Sequence, residues 1–315
     1  MEYFGINIDC GKPHNVIRKE KFTNYLRNDI FDGKKVELKD MKREDWPYIP
    51  CPMLFNRFNL LNFYTYKMED GSLLTNCNTL KSLALERNCT YAIFTHVEIV
   101  ENVQKTFYVL HAEKKLNPPP STDQQKLNYH RNLHVGKCLE ATLKQKIDDY
   151  RTFACYHKTM TINDSLVNIH YTHKIDLFDK EMNPIEVKAL FCPGKTTAKT
   201  KEQKLNKCFK HDRRVDTVIQ CKIGEVQKII FGLHDGINNK AEIFQMTLAE
   251  LEKGDVKAEA EAEARYANMK LSVKKIMEKC KLMDLEGKAV RIQNIEPLEW
   301  EEIDKTDLIK TYGFI

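Results

Sequence analysis

HYTHKIDLFDKEMNPIEVKAL, residues 170–190, is the stretch from which the rest of the chain can be read. Just before and within it, Val167, Ile169, Tyr171, Ile175 and Leu177 recur with the period of two that marks a β-strand. Asn168, His170, Thr172, Lys174 and Asp176 then share the opposite face. The segment DKEMNP (179–184) makes a turn, and PIEVKALF begins a second strand. That spacing brings Asp176 and Glu186 side by side on adjacent strands, with Lys188 on the face of Glu186. Two carboxylates and a lysine so placed are the D-(D/E)xK kit for metal-dependent phosphodiester hydrolysis. Hard oxygen ligands hold Mg²⁺ (or Mn²⁺), and the lysine orients the attacking water or steadies the charge on phosphate. A Glu-x-Lys on a strand is common by itself, so other positions have to carry the argument.

Outward from this stretch, the segments 91–100 and 105–115 are rich in β-branched and aromatic residues and form a hairpin. Residues 53–68 read as a helix, 72–87 as a helix or ordered turn, and 125–150 as a helix. RTFACYHKTMTI continues into strand, and 199–223 is a basic helical segment. KIIFGL (228–233) is a buried strand, His234-Asp235-Gly236 a turn, and AEIFQMTL (241–248) the hairpin partner. Alanine and glutamate open a long helix from about 256 to 284, and AVRIQNIEPLEW adds a last strand. The expected fold is α/β (α+β): mixed sheets flanked by helices in a single domain over 1–315, with a variable part at 1–60 and an active-site core at 125–250.

At 315 residues the chain can bury a large core. It has no apolar run of about 18 residues, hence no expected membrane span, and no secretory signal at MEYFGINIDCGK. Its ten cysteines include no CxxC pair, which argues against structural zinc and for reduced thiols in a nuclear or cytoplasmic protein. The net charge of +5 is uneven: eight Lys/Arg stand against Glu202 and Asp212 between Lys195 and Arg214, which suits an anionic partner. His130 and His134 lack a metalloprotease pattern and read as surface histidines. Gly194-Lys195-Thr196 lacks the glycines of a phosphate loop.

Three further features join the opening stretch: Gly136-Lys-Cys-Leu-Glu140 on the helix at 125–150, Lys174-Ile-Asp176, and Gln220 ahead of the buried strand. With Glu186-Val187-Lys188 they run in the order of motifs that the DXO-type decapping exoribonucleases carry, and the chain resembles that family from about 60 to 300. The resemblance implies RNA 5′-end hydrolysis: removal of incomplete or non-standard caps, with NAD-cap removal and 5′–3′ digestion as further activities. It implies Glu140, Asp176, Glu186 and the Val187 carbonyl as metal ligands, and Asp176, Glu186, Lys188 and Gln220 as catalytic residues. Lys174, His170, Lys199, Lys204, Lys207, Arg213 and Arg214 are the candidate substrate contacts, the basic ones lining a channel for single-stranded RNA. The expected protein is a monomer acting on RNA 5′ ends.

Two positions depart from the family. Lys174 stands where the family keeps an acid, and Asn76-Cys77-Asn78 aligns with its Trp-Arg-Gly, so an arginine that the resemblance implies as a phosphate or nucleotide contact is replaced by Cys77. These departures define the alternative reading, a catalytically degenerate member that binds RNA or a partner 5′–3′ exoribonuclease.

Overall fold

In the computed structural model the described residues are 2–7, 16–17, 24–39, 68–86, 89–115, 122, 134–145, 150–162, 165–192, 200–235, 238–283, 285–286, 288–295 and 297–306. Residues 53–67 of the helix expected at 53–68, His130 and Lys199 lie outside them. The strands are β1 (Glu2–Asn7), β2 (Val16–Ile17), β3 (Lys35–Glu37), β4 (Leu73–Asn76), β5 (Cys89–Val100), β6 (Val103–Lys115), β7 (Tyr150–Ile162) and β8 (Ser165–Ile175). After them come β9 (Leu177–Phe178), β10 (Pro184–Phe191), β11 (Lys228–His234), β12 (Lys240–Thr247), β13 (Lys288–Ile295) and β14 (Leu298–Asp304). The helices are α1 (Cys77–Ala84), α2 (134–143), α3 (Lys201–Cys208), α4 (His211–Gly224), α5 (Leu248–Lys253) and α6 (Val256–Leu282).

Two mixed sheets flanked by helices result, as expected. One has nine strands in the order β14-β13-β5-β6-β4-β8-β7-β1-β2, and the other five in the order β3-β12-β11-β10-β9. The chain passes from the first to the second at Asp176, the single residue between β8 and β9. β9 pairs antiparallel with β10, Leu177 opposite Ile185, so the turn at 179–183 sets Asp176 beside Glu186. β10 pairs parallel with β11. A parallel pair needs a long crossover, and here α3 and α4 supply it, laying α4 over the Glu186 face of β10.

The five-stranded sheet is buried on both faces. Ile185, Val187, Ile230 and Ile243 pack on Cys138, Leu139 and Leu143 of α2. Leu190, Ile229, Phe231 and Phe244 belong to the larger core with Val215, Val218 and Ile219 of α4 and Val273 and Ile276 of α6. Gly232 permits this closeness: a Cβ there would come within 2.5 Å of a Leu139 methyl.

Several local readings need adjustment. The segment 72–87 divides into β4 and α1, because Leu73 and Leu74 pair with both β6 and β8 before Asn76 caps the helix by accepting the Thr79 N–H. In the segment read as a helix over 125–150, Tyr150 already belongs to β7, paired with Asn7. The basic segment 199–223 is two helices broken at Phe209, whose ring is buried against Phe231 at 5.0 Å between centroids. The last strand is a hairpin, β13 with β14.

Candidate active site

Asp176 is fixed from two sides. The Asn24 side-chain amide donates to the carbonyls of Ile175 and Asp176, and the Val187 N–H donates to Asp176 Oδ2 at 3.1 Å. Across the pair, Lys188 Nζ lies 2.6 Å from Glu186 Oε1, as two residues on one strand face require. Gln220 descends from α4: its Nε2 donates to Glu186 Oε1 at 2.7 Å and its Oε1 accepts from Lys188 Nζ at 3.0 Å. Glu140 reaches in from α2, where Lys137 holds both its oxygens at 3.3 and 3.4 Å. Lys174 Nζ bridges the remaining gap, 3.1 Å from Glu140 Oε2 and 2.6 Å from Asp176 Oδ1.

These groups line a cavity of about 250 Å³, together with Thr172, His173, and Cys77 and Asn78 at the start of α1. A wider, more open cavity of about 600 Å³ lies where β11 begins and β12 ends, among Asp179, Gln227 and Glu250. There Asp179 closes its own turn and Glu250 caps α5, so the smaller cavity is the one with convergent chemistry.

Burial and charge pull the acids apart. Burial opposes ionisation of Asp176, yet the Lys174 ammonium, Lys188 and the Val187 N–H outweigh it and hold its pKa well below the usual carboxylate range. For Glu186, burial and the nearby Asp176 charge win over Lys188, and its pKa is raised. Lys188 is half-buried, which alone would lower its pKa, but Glu186 beside it keeps the ammonium protonated and its pKa raised. Separated pKa values in neighbouring titratable groups are typical of functional sites.

Glu140, Lys174, Asp176, Glu186, Val187, Lys188 and Gln220 are thus brought to one place. The other described candidates do not line this cavity. His170 is 4% exposed and stacked on His157 at 4.3 Å, outside the cavity lining, and burial pushes its pKa to about 3. It is placed as a neutral, buried histidine. Arg214 is 4% exposed, with Asn206 at 2.8 Å, Asp255 at 3.8 Å and the Phe209 ring at 5.5 Å, so its guanidinium braces α3 and α6 against α4. Lys204 is held by both Glu242 oxygens at 2.8 and 2.9 Å. Lys207 and Arg213 are exposed. Lys81 escaped the sequence reading: from α1 it donates to Gln220 Oε1 at 3.1 Å and pairs with Asp216 at 3.3 Å. Nothing local in LKSLA announces a partner so far along the chain.

The carboxylates form a sparse oxygen set. Among the described residues no three His, Cys, Asp or Glu side chains gather closely enough to hold a metal ion. Asp176, Glu186 and Val187 nonetheless line one cavity, and Glu186 Oε2 has no hydrogen-bond partner among the described residues. That donor set suits one hard divalent ion, because Mg²⁺ takes one or two carboxylates and completes its shell with water and phosphate.

An architecture of this kind is found in known structures: the chain has the Rai1/Dxo1 fold. It matches Candida albicans Rai1 in complex with pU5 and Mn²⁺ at 11% identity and a TM-score of 0.64, over 100% of this chain and 91% of that one. Scheffersomyces stipitis Rai1 in complex with (3′-NADP)⁺ and a calcium ion matches at 11% identity and a TM-score of 0.64, covering 98% and 90%. K. lactis Dxo1 in complex with manganese matches at 10% identity and 0.61, covering 96% and 88%. No family model matches the chain. No curated protein matches it either.

Proposed function

We propose that this protein acts on RNA 5′ ends as a phosphodiester hydrolase of the decapping-nuclease kind, using one divalent ion, Mg²⁺ or Mn²⁺. The observation that carries the reading is the convergence of Glu140, Asp176, Glu186, Lys188 and Gln220 from α2, the β8–β9 junction, β10 and α4 on one cavity. The ligands of the fold neighbours, a 5′-phosphorylated oligonucleotide with Mn²⁺ in one and a dinucleotide with calcium in another, support the choice of substrate class. Terminal phosphate and dinucleotide-like caps, NAD among them, are therefore the substrates proposed here.

Asp176, Glu186 and the Val187 carbonyl would hold the ion, which when bound supplies Lewis-acid polarisation of the phosphate and a more acidic water. The chain's own groups do the rest. Lys188 Nζ, tied to Glu186 at 2.6 Å, is a fixed donor for the attacking water or for charge developing on phosphate. Gln220 holds the Glu186 and Lys188 heads in register through its two bonds, and Lys81 in turn fixes the amide by donating to its oxygen. Lys174 brings positive charge to the side of the cavity shared by Glu140 and Asp176.

That same lysine favours a second reading, binding of RNA without cutting, alone or in support of a 5′–3′ exoribonuclease. The deciding assay incubates 5′-monophosphate, triphosphate, capped and NAD-capped RNA with the protein and Mg²⁺ or Mn²⁺, beside Glu186→Ala. Turnover that disappears in the variant supports hydrolysis. Absent turnover with retained RNA binding supports the second reading.

A further inference from the structure

Lys174 meets one acid two residues along the chain and a second delivered from α2. Its side chain is 26% exposed, folded down from β8 onto two acids that belong to different elements. Nζ lies 3.1 Å from Glu140 Oε2 and 2.6 Å from Asp176 Oδ1. A cation shared between two carboxylates is what a metal ion would be at this point, but Mg²⁺–oxygen distances are about 2.0–2.1 Å. The ammonium therefore fills the gap while keeping the two carboxylates further apart than an ion would draw them.

We propose that the Lys174 ammonium is a resident cation standing in for a divalent ion between Glu140 and Asp176, so that the cavity accepts one divalent ion and not two. The proposal deepens the hydrolase reading and rests on it only for the remaining position at Asp176 and Glu186. Charge makes the same point as geometry. Three carboxylates and two ammonium groups line the cavity, leaving one net negative charge. One divalent ion reverses that to one net positive charge. A second would leave three, close to the Lys174 ammonium and away from bulk water, where like charges repel strongly. Glu140 is further occupied by Lys137 from one turn earlier on α2. Asp176 Oδ1 and Oδ2 each hold one donor, so each keeps a lone pair for a single ion on the Glu186 side.

Lys174 is thereby a residue that sets metal stoichiometry, and its replacement by acid should convert the site. The experiment titrates Mn²⁺ alone into the full chain by calorimetry, with bound Mn²⁺ counted by equilibrium dialysis, for the parent protein, Lys174→Glu and Lys174→Met. Thermal melts establish that each is folded, and Lys174→Met carries the test should the glutamate variant not fold. The expected counts are one ion for the parent and two for Lys174→Glu. Lys174→Met, which removes the ammonium without adding a ligand, should take a second ion more weakly. Two ions in the parent, or one in the parent and in both folded variants, overturns the proposal; in either case the hydrolase reading keeps its ion. No ion in the parent and one in Lys174→Glu overturns the count of one and removes the ion assigned to Asp176 and Glu186. No ion in any of the three overturns both.

Discussion

Replacing Gly232 by alanine should disturb the packing of the helix that carries Glu140. The new Cβ would lie 2.5 and 2.8 Å from the two Leu139 methyls and 3.2 Å from its Cγ. Leu139 is fully buried between α2 and the five-stranded sheet, packed with Val187, Ile230 and Leu143, so the methyls have no open space to turn into. Inserting a methyl into such a core costs about 1–3 kcal/mol. For a chain of this size each kcal/mol corresponds to roughly 2 °C, so the melting temperature should fall by about 2–6 °C. Leu139→Ala alone removes buried methyls, leaves a cavity, and should cost about 2–5 kcal/mol. Combined, the two substitutions relieve each other, because the added methyl enters the space that Leu139 vacates. The double variant should therefore be more stable than the sum of the single losses by about 1–2 kcal/mol, the coupling expected of residues in contact. Urea unfolding of the four proteins measures this directly. Additivity to within about 0.5 kcal/mol, or an unchanged melt for Gly232→Ala, would refute the claim that α2 is seated on β11 through this glycine.

Burial, then the His157 charge, hold the His170 pKa at about 3, against about 6.5 in the unfolded chain. The unfolded state alone takes up this proton below pH 6.5, so stability is full above that pH and falls on acidification. At pH 5 the loss should be roughly 2 kcal/mol, and His170→Phe should flatten the urea midpoint between pH 7 and 5 by that amount; an unaltered slope would count against it. Arg214→Met, which removes the partner of Asn206 and Asp255, should cost about 1–3 kcal/mol of stability while RNA affinity and its salt dependence stay as they were. Lys207→Ala and Arg213→Ala should do the opposite, holding stability within about 0.5 kcal/mol but lowering the slope of log affinity against log salt by about one for each phosphate no longer neutralised. An RNA affinity that ignores salt in the parent protein would remove the case for these two side chains.

How much of this was legible in advance differs residue by residue. The approach of Asp176 to Glu186 was readable because strand period and turn length are local quantities, and the observed pairing of Leu177 with Ile185 follows from them. Lys188 beside Glu186 needed only the two-residue repeat. The burial of Arg214 could not be read in advance, because Arg213 and Arg214 point in directions about 100° apart on one helix. Which of the two faces the core depends on how α4 lies against α3 and α6, and composition carries no trace of that. His170 shows the same limit on a strand. The alternation placed it on the less apolar face of β8, but that face is covered too, by the His157 ring from β7.

What the sequence determined by itself was therefore most of the longer strands and helices after residue 90, the mixed α and β class, and the neighbours that strand pairing brings together across short turns. These depend on backbone periodicity and on contacts a few residues away. Only the tertiary structure decided that Lys174 closes onto both Glu140 and Asp176, that Lys81 holds Gln220, and that the chain changes sheets at Asp176. Those contacts join elements distant in the chain, and an ammonium group takes the partner that folding delivers to it. The same Lys174 that departs from the pattern of the resembled family is, in three dimensions, the group around which two of the three acids at the cavity are arranged.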